Sequence, residues 1–401
     1  MQTGRPQGRI PELDGIRGIA ILLVIITHYF YFYPAANHHP QGLLRNLYVY
    51  FERCIAIGWS GVDLFFVLSG FLIGGILLDA RSSRSYFRTF YFRRFFRIIP
   101  VYYCWISLYV ALLLLTALTG WNSNAVAEPR AWYEVGGQYL FFQNLGFINY
   151  AGLGAAWFLA TWSLAVEEQF YLVAPLVVRL LSSRALLWFL TSVILVAPFF
   201  RLWTHHWSIP WVGLDAGYAL MPSRADGLAV GMLVALLWRN DRARAWLGAR
   251  WPALYWVFAV FFAGFIALNF FSPSHDSVFT QTAGFSWLAI FFALLIILAL
   301  VKSDGPIASF ARIGWLREFG RVSYCLYIIH LAVNRICQSI LVGSQTNTSD
   351  WRAVAVPIVA LVAAFVIARL SWTYLERPML QRGHAFKYEV AAEPQATNEQ
   401  R

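Results

Sequence analysis

The chain has 401 residues, 59% of them hydrophobic and only 13% charged, and its net charge is +11 at neutral pH. That balance excludes a water-soluble globular protein of ordinary composition and leaves a polytopic membrane protein. Membrane topology and contact with anionic lipid account for the basic excess, so nucleic acid is not implied as a partner.

Apolar windows of about twenty residues recur with centres near Val24, Leu68, Val110, Val166, Val193, Ala229, Phe262, Phe292, Ile329 and Val362. They predict an all-α chain with about ten transmembrane helices, the first of them retained and not cleaved as a signal peptide. The segments between alternate in basic content. Arg5 and Arg9, Arg81 through Arg97, Arg179 and Arg184, Arg239 through Arg250, Lys302 through Arg321, and Arg377 through Lys387 form the basic set. By the positive-inside rule this set is cytoplasmic and both termini with it, while the polar loops near 33–58, 120–155 and 204–222 face outward. The expected organisation is a cytoplasmic segment over 1–12, a membrane domain over 13–380 and a cytoplasmic, disordered tail over 381–401.

The first helix carries Arg17 and His28, eleven positions apart and so about 16 Å apart along the axis, one near a face and one deep inside. Ionisable groups at such depth mark substrate paths, proton relays or reaction centres. The second helix begins with Ser60 and Asp63, spaced as a capping box, and holds Gly70, Gly74 and Gly75, which permit close helix approach. Asp63 is also a weaker candidate for touching substrate. Before the third helix, RSSRSYFRTFYFRRFFRIIP interleaves aromatics with basic residues, among them Arg93, Arg94 and Arg97. Their guanidinium forks suit a phosphate-bearing ligand with a flat ring, the alternative being anchoring to a lipid headgroup.

The fourth segment places Glu167 and Glu168 about 15 Å into a helix, with Trp162 and Ser163 a turn before them. A buried carboxylate needs a cation, and Arg17, Arg201, Arg224 and His28 are the intramembrane choices. Arg201 ends the fifth helix and Arg224 and Asp226 open the sixth, a pattern that fits a cap with a salt bridge as well as a substrate contact. In the ninth helix Tyr324, Tyr327 and His330 share roughly one stripe, where the histidine could be a structural hydrogen-bonding residue or a catalyst. The cysteines Cys54, Cys104, Cys325 and Cys337 lack metal-ligand spacing, and no metal is expected.

At these residues the chain resembles the acyltransferase family 3 membrane proteins. The resemblance covers about residues 10–380 and rests on LDGIRGIA followed by His28, GVDLFFVLSGFLI, RRFFRIIPVYY, WSLAVEEQFY, GRVSYCLYIIH and YLERPM around Glu376, in that order. It implies transfer of an acyl group, most often acetyl, from acyl-CoA onto an extracytoplasmic carbohydrate or glycolipid. It further implies that Arg17 and His28 are essential, that Arg94 and Arg97 help hold the donor, and that catalysis occurs within the bundle of a bacterial inner-membrane protein. Some relatives carry a carboxy-terminal hydrolase-like domain. The expectation here is a standalone member that acylates its acceptor directly or passes the group to a separate extracytoplasmic transferase.

No nucleophile elbow or serine triad is present, which makes His28 the natural general base, with Glu167 or Glu168 orienting its imidazole; a transient acyl-histidine is the variant. The arginines near the inner face would grip the phosphates of acetyl-CoA or another acyl-CoA. A proton-coupled or anion transporter could use the same charges but predicts related halves, and nothing like the arginine-rich segment recurs after the seventh helix. A non-catalytic partner in envelope assembly would leave the buried charge unexplained. Trp121, Trp132, Trp203, Trp207 and Trp211 could contact sugar or mark the interfacial belt.

Overall fold

The computed structural model describes residues 10–32, 50–119, 132–145, 157–207, 216–272, 274–275, 277–341 and 352–389, and these contain no strand. Ten long helices carry the fold: α1 (Pro11–Thr27), α2 (Gly61–Asp79), α3 (Tyr86–Thr119), α4 (Trp162–Leu180), α5 (Ser183–Trp207), α6 (Met221–Trp238), α7 (Trp251–Phe271), α8 (Phe285–Val301), α9 (Gly314–Leu341) and α10 (Arg352–Ser371). Among the described residues, nine helical stretches are long and apolar enough to cross a membrane, and they include every one of these helices except α4. That helix contains Glu167, Glu168 and Arg179 within its 19 residues. Its rise of about 28 Å still matches a hydrocarbon core, and its first turns are buried against α2 and α6.

The first helix starts where the sequence favours it, with Pro11 at its opening turn and Glu12 and Asp14 complementing the helix dipole. Two neighbouring stripes then bury it from both sides. Ile16, Ala20 and Val24 join an apolar cluster built with residues of α2, α6 and α8. Ile21, Ile25 and Tyr29 join a second, built with residues of α3, α9 and α10. Each stripe repeats every four residues, so α1 stands at the seam of the bundle and carries Arg17 and His28 along it.

The tightest packing is made by small residues. A side chain at Gly320 of α9 would collide with the Asp14 carbonyl of α1, and one at Gly231 of α6 with the Val67 carbonyl of α2. These helix pairs are the most closely associated in the molecule. Without a hydrophobic drive in lipid, such backbone proximity is how helices bind one another. Gly70 and Gly74 act alike against Leu228 and Met232. At the rim the pattern reverses: only 11% of the apolar window of α7 is buried, against 72% of that leading into α2, so α7 faces lipid.

The capping box expected at Ser60 is not formed. A 3-10 turn, Ala56–Ser60, runs directly into α2, leaving Ser60 in helical geometry with no capping bond from its side chain. A cap needs an extended residue whose oxygen turns back on the helix, and here the incoming turn removes that option.

At one end of the bundle Glu12 pairs with Arg312 at 2.9 Å, and the short helix Arg377–His384 packs along the first turns of α3. The expected irregular tail over 381–401 is therefore corrected for its first nine residues. The helix runs on to His384, the Phe386 ring stacks on Phe92 at 4.5 Å, and the Lys387 carbonyl accepts from Ser85 and Thr89, each at 3.1 Å. Phe386 and Tyr388 give this stretch the apolar surface that the composition farther on lacks. Residues 390–401 lie outside the described residues.

Candidate active site

A cavity of about 110 Å³ opens between α1, α2, α3, α4 and α9. Arg17, Arg94 and Arg97 line it together with Ser69, Glu167 and Tyr171, and its wall continues to Ser163, Tyr324 and Tyr327. Arg17 is also 3.6 Å from Asp14, one turn earlier on α1. The Arg94 guanidinium lies 5.9 Å from the ring centres of both Phe90 and Tyr171. Flat cations held on aromatic faces keep their in-plane donors available for an anion.

Arg93 does not share this wall. Its Nε donates to the Phe386 carbonyl at 2.8 Å and its guanidinium covers the Tyr388 ring at 4.9 Å. Successive residues on a helix point about 100° apart, so Arg93 and Arg94 serve different surfaces, while Arg94 and Arg97, three apart, serve one.

Glu167 sits only about 8 Å beyond the start of α4, because the regular helix opens at Trp162 after a 3-10 turn, Leu159–Thr161. Tyr171, one turn on, donates to Glu167 Oε2 at 3.1 Å and is 2.5 Å from Ser69 Oγ. The charged neighbours of Glu167 are Arg97 and Arg17. Glu168, pointing elsewhere, has Arg94 as its basic neighbour and leaves Oε1 buried without a hydrogen-bond partner. The expected orientation of His28 by a glutamate is not what the structure holds, since the carboxylate of Glu167 faces Arg97, Arg17 and Tyr171. The i, i+4 spacing of Glu167 and Tyr171 was a signal in the sequence that could have found this pair.

The imidazole of His28 is held by the Val24 carbonyl of its own helix and has another histidine beside it. His28 opens a π-helical turn, His28–Phe32, that continues α1, and π turns recur at functional positions. Its Nδ1 lies 2.9 Å from the Val24 carbonyl and 3.3 Å from His330 Nε2. His330 Nδ1 in turn lies 2.6 Å from the Tyr327 carbonyl. Carbonyl oxygens only accept, so both Nδ1 atoms carry the proton in the neutral rings and His330 Nε2 is an acceptor. This assignment leaves the lone pair of His28 on Nε2. His28 keeps part of its surface open while His330 is fully buried.

The far wall of the cavity adjoins this pair. Tyr327 donates to the Ala160 carbonyl at 2.8 Å, lies 2.6 Å from Ser163 Oγ, and has its ring centre 5.8 Å from that of His330. Tyr324 instead donates to the Ile98 carbonyl at 2.9 Å, tying α9 to α3 beside Arg97.

Asp63, Arg201, Arg224 and Asp226 form a separate set. Arg224 pairs with Asp63 at 2.6 Å and Arg201 with Asp226 at 2.9 Å, linking α2, α5 and α6 crosswise and not through a local cap at the start of α6. All four side chains are buried. Phe285 lies 3.8 Å from the Arg224 guanidinium, and Trp162 and Tyr218 complete a cage around it. His275, which no sequence signal singled out, stacks on Tyr218 at 4.4 Å and is an electrostatic neighbour of His28. Trp203 is exposed; Trp121 and Trp211 lie outside the described residues, and of Trp132 and Trp207 only the backbone is described.

Comparison with known proteins agrees with this arrangement. Residues 10–372 match the acyltransferase domain family, type 3. The peptidoglycan O-acetyltransferase OatA of Listeria monocytogenes is 27% identical over 93% of this chain and 56% of its own. A putative peptidoglycan O-acetyltransferase of Bacillus subtilis, YrhL, is 27% identical over 93% and 55%, and the O-acetyltransferase OatA of Staphylococcus aureus 25% identical over 93% and 58%. The chain thus spans about half the length of these curated relatives. No solved structure matches it. With a family match over almost its whole length and a bundle of apolar helices around an arginine-lined cavity, the chain belongs to the acyltransferase family 3 of multi-pass bacterial membrane proteins.

Proposed function

We propose that this protein is a membrane O-acetyltransferase that takes acetyl from cytoplasmic acetyl-CoA and places it on a hydroxyl of an extracytoplasmic carbohydrate of the cell envelope. The observation that carries this reading is a cavity lined by three arginines whose wall at Ser163 and Tyr327 adjoins the His28–His330 pair. The arginines hold the phosphates of the donor, and the pantetheine arm lies along α1 toward His28. The names of the relatives favour peptidoglycan as the acceptor.

In the reaction the acceptor oxygen attacks the thioester carbonyl carbon as His28 Nε2 takes its proton. The C–S bond then breaks and the thiolate leaves with the electron pair. The proton on Nε2 goes to that sulfur, so the sum is an O-acetyl ester and free CoA thiol, with no proton gained or lost. His330 does not touch the substrate in this scheme. It is a positioning residue packed against His28 Nδ1, whose proton the Val24 carbonyl accepts, and this tautomer puts the His28 lone pair on Nε2. Arg17 and Glu167 sit on the donor side, where Glu167 keeps the arginine cluster from repelling itself.

The test is to supply purified protein in nanodiscs with acetyl-CoA and muropeptides, and to measure free thiol and O-acetylated sugar together. Stoichiometric appearance of both is the expected result. Release of neither, from folded protein with donor and acceptor present, would remove the proposal.

A further inference from the structure

On the donor side two buried hydrogen-bond donors have no acceptor: Arg94 Nε and the Tyr388 hydroxyl. The Tyr388 ring lies under the guanidinium of Arg93, the residue next to Arg94, at 4.9 Å, and Tyr388 and Arg94 are electrostatic neighbours. Burial raises the phenol above its ordinary pKa, with Arg93 and Arg94 acting in the opposite sense, so Tyr388 keeps its proton and remains a donor.

Tyr388 is held in place by the chain on either side of it. Arg93 fastens the Phe386 carbonyl, Ser85 and Thr89 fasten the Lys387 carbonyl, and the Glu389 amide donates to Ser85 Oγ at 2.9 Å. Gly383 lets the preceding helix approach Phe96 and the backbone of Arg93 closely. The result is a strap of chain bound residue by residue to the first turns of α3, over the arginine whose neighbour lines the cavity. A buried donor without an acceptor costs free energy, and native proteins seldom keep two within electrostatic range of each other unless water, an ion or a ligand satisfies them. A group able to accept from a guanidinium and a phenol together is rich in oxygen and negatively charged, as a phosphate is.

We propose that residues 385–389 form part of the donor site, with Tyr388 donating its hydroxyl to the same phosphoryl group that Arg94 binds. The inference rests on the acetyl-CoA reading given above. It adds a binding residue from outside the membrane helices and gives the carboxy-terminal segment a role in donor affinity. Phosphate oxygen is also what an anionic lipid headgroup would present, and the experiment separates the two sources.

Acetyl-CoA and S-acetylpantetheine, which lacks the nucleotide phosphates, are titrated into wild type and Tyr388→Phe in nanodiscs of phosphatidylcholine. The phenylalanine keeps the ring that Arg93 covers, so folding is retained. Tyr388→Phe is expected to weaken acetyl-CoA binding by about tenfold and to leave S-acetylpantetheine binding unchanged. Ser85→Ala with Thr89→Ala, which loosens the strap without touching Tyr388, should show the same split. Equal effects on both thioesters, or none on either, overturn the assignment while the donor reading stands. If acetyl-CoA binding is unaffected but thermal stabilisation by added phosphatidylglycerol is lost, the phosphate belongs to lipid and the donor assignment is again overturned. Wild type that binds no acetyl-CoA removes the donor reading and this inference with it.

Discussion

The molecule buries charge in two regions and treats it differently in each. Around Asp63, Arg201, Arg224 and Asp226 two cations meet two anions, at 2.6 and 2.9 Å, in a closed, aromatic-walled set. Around the cavity, Arg17, Arg94 and Arg97 line a void with Glu167 as the one carboxylate on the same wall. Balanced charge without space is what holds helices together in a medium that cannot solvate them. Three arginines lining a space with one carboxylate are what an anionic ligand completes. The residue types are alike in the two places, but the first set is fully buried and the residues of the second are half-buried beside a void.

The largest effect that would sharpen this contrast is at the proposed reaction centre. His28→Ala is expected to lower turnover by about 10²–10⁴-fold, the usual contribution of a general base, while acetyl-CoA still binds. A variant that lost donor affinity to the same degree would move His28 from catalysis to structure. Next comes the brace. Asp63→Ala leaves Arg224 buried without its carboxylate and should destabilise the protein by about 3–5 kcal/mol, while exchanging both partners for leucine recovers much of that loss. Thermal unfolding of the single and double variants in one detergent measures it, and an Asp63→Ala protein as stable as wild type would remove the brace from the comparison. At the cavity the expected pattern is the opposite. Arg97→Ala relieves repulsion among like charges and should leave the melting temperature unchanged or higher, yet weaken acetyl-CoA binding by about 10- to 100-fold through loss of a charge-assisted contact. Isothermal titration beside a melting curve reads both, and a loss of stability without loss of affinity would make Arg97 another brace.

How much of this was legible in the sequence follows the same division. The helix positions were readable because apolar length alone sets them, and so were the glycine contacts of α2. The arginine cavity was readable in part: Arg94 and Arg97 share a face by their spacing, and that spacing also separates Arg93. Pairings across the fold were not. Nothing near Asp63 indicates Arg224, 161 positions away, whereas the Glu167–Tyr171 pair, four residues apart on one helix, was within reach of the sequence. The histidine pair joins positions 302 apart, and each histidine could be picked out only singly. The strap escaped because two aromatic residues at its start were outweighed by the polar composition beyond it.

The smallest expected effect lies at the edge of the brace. Ser60 Oγ is buried and has no hydrogen-bond partner, and Asp63 Oδ2 and Arg224 Nη1 are in the same condition. If this region is only a brace, the Ser60 hydroxyl is an unmet desolvation cost, and Ser60→Ala should raise stability by about 1 kcal/mol or leave it unchanged. Turnover should not move, because the hydroxyl touches nothing that reacts. The substitution removes one oxygen from a helix entrance where it forms no cap, so the backbone has no reason to shift. A rise in the melting temperature with unchanged kcat and KM would confirm that charge balance, and not every buried polar atom, defines a brace here. A drop in affinity for the carbohydrate acceptor would instead mean that Ser60 and its unpartnered neighbours await a ligand, and the division between the two regions would have to be redrawn with a second site on the far side of His28.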